Sequence, residues 1–142
     1  SALAPRRQEE MAKQRIFAYR GWQSTGIKIE EGDRLTIRAR GEWLYTPDET
    51  HGPEGHARYP APAFYPIPSR HESYGPHSVV PGGVLIGRIG VSGAPFIVGR
   101  GTSILAPERG MLYLRINDDI LSDNEGWVDL DVTVKSTNEE SP

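Results

Sequence analysis

The chain has 142 residues, a formal net charge of −3, a pI near 5.8 and no cysteine. That length fits one domain with a core of its own. Mild acidity argues against a nucleic-acid surface, and the missing thiols exclude disulfides, thiolate metal sites and a cysteine nucleophile. No run approaches the ~18 apolar residues of a membrane span, and no signal peptide is visible.

In chain order, Pro5 to Gln14 reads as a short helical tail, because Pro5 suits a first helical turn and Glu9, Glu10, Lys13 and Gln14 can pair along one face. Its apolar content is thin, so residues 1–14 are expected to be a linker or frayed tail, residues 15–136 the domain, and residues 137–142 a disordered C-terminal tail. Across the chain 16 Gly and 12 Pro punctuate short runs rich in Ile, Val and Leu, which become regular from Trp22. Ile27 and Ile29 alternate before a Glu31-Gly32-Asp33 turn; Leu35, Ile37 and Ala39 follow, then Trp43 to Tyr45. Val84 to Ile89, Phe96 to Val98, Ser103 to Leu105 and Met111 to Ile116 are further strand-like runs. Val128, Leu130, Val132 and Val134 give the cleanest period of two, with Asp129 and Asp131 on the opposite, solvated face. About eight strands at short spacing predict an all-β, antiparallel sandwich.

Two segments stand apart. Thr46 to Gly82 lacks strand periodicity and holds eight of the twelve Pro and all four His. A segment this long inside a compact domain is usually functional or disordered, and its prolines with Tyr59, Phe64, Tyr65 and Tyr74 favour a stiffened, ordered loop. The other is Asn117-Asp118-Asp119-Ile120-Leu121-Ser122-Asp123-Asn124-Glu125-Gly126. Five of its side chains carry oxygen donors of the kind Ca²⁺ gathers, roughly 6–8 at about 2.3–2.6 Å. The same residues also make an ordinary polar turn. It is not an EF-hand, since the third position counted from Asp119 is Leu121; a cation here needs ligands from a second loop.

Four segments in order resemble one family: Trp22 to Ile27 with the Glu31-Gly32-Asp33 turn; Gly41 to Pro47 with Gly52-Pro53-Glu54-Gly55; Gly83 to Gly90 with Ser92-Gly93; and Asn117-Asp118 through Gly126. The chain from about residue 15 to 135 is similar to the galactophilic, calcium-dependent bacterial lectins of the PA-I type and their galactose-binding-like relatives. That resemblance implies a jelly-roll-like sandwich with Ca²⁺ held between two loops at one end and sugar hydroxyls completing its coordination. Transferred by position, it implies metal ligation by the Tyr45 carbonyl, Asp118, Asp123, Asn124 and a carbonyl from Ile120 or Leu121, with Leu121 preferred. The candidate carbohydrate-binding set is Glu54, His56, Tyr59, Asp118, Asp119 and Asp123, with His56 included because it sits three residues before Tyr59. Tyr59 stands where the galactophilic lectin has a sugar-contacting His, and residues 61–81 are a longer insertion.

The remaining constellations are weaker. His51 with His56 and His71 with His77 lack the helical spacing of a His-Glu-x-x-His zinc site and read as solvated loop histidines. No Gly-x-Ser-x-Gly elbow occurs, and Glu54 with Asp118 makes a poor glycosidase pair if Asp118 binds a cation. Trp22, Trp43 and Trp127 are expected to pack in or beside strands. The expected protein is therefore a calcium-dependent carbohydrate-binding module without catalysis. The alternative is a structural or targeting module of a larger bacterial protein, with a stabilising or vestigial calcium site. Attached domains or further copies of the chain are the other partners expected.

Overall fold

A computed structural model of the chain describes residues 9–46, 49–70 and 79–137. The described residues form eleven strands and no helix: β1 (Glu9–Phe17), β2 (Gln23–Ile29), β3 (Arg34–Thr46), β4 (Glu49–His51), β5 (His56–Pro60), β6 (Pro81–Gly82), β7 (Leu85–Ile89), β8 (Phe96–Ile97), β9 (Gly101–Leu105), β10 (Gly110–Ile116) and β11 (Glu125–Lys135). One sheet runs β1-β11-β3-β4, with β9 also paired to β3; the second runs β2-β10-β7-β8, and β5-β6 is a small third sheet. Every pairing is antiparallel. These pairings make an antiparallel β-sandwich; the jelly-roll-like variant expected from the sequence is a finer statement than they carry.

The core follows the period-two pattern. Val128, Leu130, Val132 and Val134 of β11 are buried, as are Leu35 and Ile37 of β3. From the second sheet Ile29, Leu85, Ile86, Leu112, Leu114 and Ile116 join the same apolar cluster. Alternation along each strand puts one row of side chains into the space between the sheets and the other outside. On the outer face of β11, Asp129 pairs with Arg15, and Asp131 pairs with Lys13 and Arg40, each at 3.0 Å.

One expectation is overturned. Glu9 to Gln14 are not helical but the first two-thirds of β1, paired with β11 from Glu9↔Lys135 to Phe17↔Trp127. The i,i+4 charge pattern competes here with a long template strand. Lys13 and Arg15 find carboxylates across the ladder at Asp131 and Asp129, and a nine-residue ladder outweighs a marginal isolated helix. Pro5 to Gln8 lie outside the described residues.

Strand β3 positions the functional end. β11 covers one edge of it along its length; the other edge is shared, Arg34 to Arg38 pairing with β9 and Trp43 to Thr46 with β4. The two runs expected around Leu35 and Trp43 are thus one strand, continuous through Gly41, whose φ of 111° only glycine takes readily. Because Glu125 opposes Leu44 and Ile116 opposes Leu85, the β10–β11 loop is delivered beside the end of β3 and the start of β7.

Candidate functional site

The cavity at this end has a volume of about 300 Å³ and is lined by Tyr45, Tyr59, Phe64, Tyr65, Asp118, Asp119, Ile120 and Asp123. Three carboxylates thus face four aromatic rings. The rings form a connected cluster: Tyr45 lies 6.0 Å from Tyr59 and 6.5 Å from Tyr65, and Phe64 lies 5.6 Å from Tyr65. Tyr59 and Phe64 are exposed, whereas Tyr45 and Tyr65 are buried and share a 2.5 Å hydroxyl–hydroxyl hydrogen bond. Burial pushes both buried phenols above the usual tyrosine range, so both stay neutral. The Tyr45 ring packs against Gly82 and Gly83; a Cβ on Gly83 would meet that ring at 2.9 Å, and its φ of 81° also favours glycine.

The loop from Asn117 to Asn124 is built from buried polar groups. Asp118 is 4% exposed; its Oδ2 accepts from Asn124 Nδ2 at 2.8 Å and its Oδ1 from the Asp119 backbone N–H at 2.7 Å. Burial raises its carboxyl above the ordinary aspartate value, opposed by hydrogen bonds from Asn124, the Asp119 backbone and the Tyr65 hydroxyl. Arg115 reaches under the loop and donates to the Asp118 carbonyl at 2.5 Å and to the Ile116 carbonyl at 2.8 Å. Asn124 is 3% exposed, and its Nδ2 also donates to the Ala18 carbonyl at 3.0 Å. Its Oδ1 is buried without a hydrogen-bond partner among the described residues. Buried acceptors are satisfied in the great majority of native structures, so an orphaned one beside a carboxylate marks a place where a donor or cation fits.

Asn117 does different work. Its Oδ1 accepts from the Ile67 N–H at 2.9 Å and its Nδ2 donates to the Ile67 carbonyl at 2.8 Å. Its own backbone bridges Gly83 and Val84. With both ends of its amide committed, Asn117 staples the proline-rich segment to the β10–β11 loop. Ser69 adds a second staple, donating to the Val80 carbonyl while accepting the Val80 N–H.

The residues singled out from the sequence separate into two groups. Tyr45, Tyr59, Asp118, Asp119 and Asp123 all line the cavity, and Asn124 holds Asp118 from behind. Ile120 lines it too, whereas the Leu121 side chain packs on the core and its carbonyl accepts the Asn124 N–H at 3.1 Å. Glu54 is drawn away into an ion pair with Arg100 at 2.9 Å. His56 is 9% exposed and does not line the cavity; its ring lies 6.2 Å from that of Tyr59. The reading of His51 and His56 as solvated loop histidines is corrected: their rings stack at 4.2 Å and both approach Glu49. Trp43 is core, its indole donating to the Gly83 carbonyl at 3.2 Å, while Trp127 is exposed beneath Arg15. The Phe64-Tyr65 pair is not among the site residues expected from the sequence. Its signal was the two aromatics between Pro62 and Pro66, in a segment with no strand period.

No protein-family model matches the sequence, and no curated protein matches it. Among solved structures, the N-terminal domain of EclA, described as a PllA-like lectin, superposes with a TM-score of 0.61 at 21% identity, covering 87% of this chain and 95% of that one. The chain therefore has a lectin-like β fold.

Proposed function

We propose that this chain is a carbohydrate-binding module without catalysis, and that its sugar site is the aromatic and carboxylate cavity at the end of β3, working with Ca²⁺. The single observation that carries the reading is the pairing of an orphaned, buried Asn124 Oδ1 with the buried Asp118 carboxylate beside that cavity. This donor chemistry fits a hard cation: Asp118, Asp123, Asn124, the Tyr45 carbonyl and a carbonyl of Ile120 or Leu121 would hold it. A bound Ca²⁺ would supply coordination positions for sugar hydroxyls. Ile120 is favoured over Leu121, whose carbonyl already accepts a hydrogen bond within the turn.

The protein's own residues account for the rest of the recognition. Tyr59 and Phe64 offer exposed ring faces against which the C–H face of a pyranose packs. Asp119 and Asp123 accept hydrogen bonds from hydroxyls, and the exposed Tyr59 hydroxyl donates or accepts. The likeness to a PllA-like lectin domain supports this at the level of fold. The PA-I resemblance adds the galactose expectation, which Tyr59 modifies: a phenol is longer than the imidazole it replaces and reaches further over the cavity. Galactose is therefore expected to bind weakly, and the saccharide that binds best is expected to need both Ca²⁺ and Tyr59. Titration calorimetry of galactose in Ca²⁺, for wild type and Tyr59→Ala, tests this. Tight galactose binding that survives Tyr59→Ala would show that the sugar sits elsewhere.

A further inference from the structure

Beside the cavity, but not lining it, Glu49 of β4 meets two histidines. His51 Nε2 lies 3.2 Å and His56 Nε2 3.1 Å from the same oxygen, Glu49 Oε1. One ligating atom from each of the three residues can be drawn from a set lying within 4.8 Å of one another. The His51 and His56 rings are nearly parallel, at 29°, with side chains only 16% and 11% exposed. Despite its 3.2 Å approach to Glu49, His51 Nε2 is a buried nitrogen that makes no hydrogen bond among the described residues. A stacked imidazole pair converging on one carboxylate, with one nitrogen left unused, is hard to explain by packing alone.

We propose that Glu49, His51 and His56 form a binding site for a borderline divalent cation, Zn²⁺ in the first place. Imidazole and carboxylate are its ordinary ligands, and two His with one Glu is a known zinc set that leaves a fourth position for water. Ligand bonds of about 2.0–2.2 Å at tetrahedral angles separate neighbouring donors by about 3.3–3.5 Å. The two nitrogen–oxygen separations are already close to that spacing. The all-oxygen chemistry of the Asp118 loop suits Ca²⁺ instead, so the two sites select different ions.

Binding requires one local change. The Arg58 N–H donates to His56 Nδ1 at 3.1 Å, which keeps the His56 proton on Nε2, facing Glu49. Ligation through Nε2 moves that proton to Nδ1 and gives up the Arg58 contact, a small loss against coordination of a divalent ion. The stacked rings splay as they turn toward a common centre. The ion would then tie β4, which is paired to the end of β3, to β5, which carries Tyr59 three residues beyond His56. This site is independent of the calcium reading and stands or falls separately.

The test is titration of the EDTA-stripped protein with Zn²⁺ alone, by calorimetry, with Co²⁺ absorption as a reporter of coordination. One ion per chain is expected, with Co²⁺ giving the intense visible bands of a tetrahedral site. His51→Ala and Glu49→Gln should each weaken Zn²⁺ by more than the roughly 10–100-fold that loss of an outer-shell partner costs. Asp118→Asn and the double variant His71→Gln/His77→Gln should leave it unchanged. Circular dichroism of each variant separates loss of the site from loss of the fold, and Glu49→Gln, a half-exposed isosteric change, is the variant that keeps the fold. No Zn²⁺ binding by wild type, binding unaffected by Glu49→Gln and His51→Ala, or binding lost in the Asp118 or His71/His77 variants would each overturn the proposal.

Discussion

In β11 the buried groups are Val128, Leu130, Val132 and Val134; in the loop just before it they are Asn117, Asp118 and Asn124. The two regions are consecutive in the chain and similarly shielded from water. The strand is held by apolar area, which is non-directional and tolerates similar shapes. The loop is held by single hydrogen bonds with named partners, where losing one partner leaves a buried group unsatisfied. Only the second arrangement can leave an acceptor such as Asn124 Oδ1 available to an ion. The strand makes the sandwich; the loop makes the site.

Four predictions sharpen that contrast, the largest effect first. Leu130→Ala should cost about 2–5 kcal/mol in urea unfolding, because Leu130 is completely buried between the sheets. A near-neutral result would mean that this face of β11 is not core. Next, Ca²⁺ at about 100 times its dissociation constant should stabilise the wild type by about 2.7 kcal/mol, read as a rise in melting temperature. Asp118→Asn, which removes the charge and replaces one of the two acceptor oxygens with an amide donor, should lose most of that rise. An unchanged wild-type melt in Ca²⁺ would break the cation assignment.

Third, Asn117→Ala should cost about 1–3 kcal/mol and speed amide exchange at Ile67, whose N–H it satisfies. Protection at Ile67 that persists would show the proline-rich segment is ordered by other contacts. The smallest effect is expected at Asp131, on the outer face of β11. Its carboxyl is held below the ordinary value, chiefly by the hydrogen bond from Lys13 and by Arg40. A depressed carboxylate stabilises the fold above the ordinary aspartate pKa and loses that contribution as pH falls through the lowered value. Asp131→Asn should therefore flatten the acid limb of the stability profile slightly, and less so in high salt. A large, salt-insensitive loss would contradict an exposed pair.

The sandwich was legible because burial in strands writes a period of two into the sequence, and β10 and β11 carry it without interruption. β1 was misread because Glu9, Lys13 and Gln14 satisfy helix spacing equally well. What makes them a strand is β11, over a hundred residues away, and no local pattern carries that. At the site, the Asp118, Asp123 and Asn124 cluster was visible as an excess of oxygen donors in a turn. The division of labour within it was not. Asn117 and Asn124 are the same residue type in one loop, yet Ile67 saturates the first and none of the described residues saturates the oxygen of the second. Likewise Glu54 looked like a pocket carboxylate until Arg100 arrived from the turn before β9. Stacking of His51 on His56 depends on β4 and β5, neither of which has a sequence period to announce it.

The most direct test of the central claim is a glycan array probed with EDTA-stripped protein, before and after Ca²⁺ alone is restored, with Asp118→Asn alongside. The account predicts saccharide binding that is absent after stripping, returns with Ca²⁺, and fails to return in Asp118→Asn. Saccharide binding that persists without Ca²⁺, or no binding to any glycan once Ca²⁺ is restored, would contradict it.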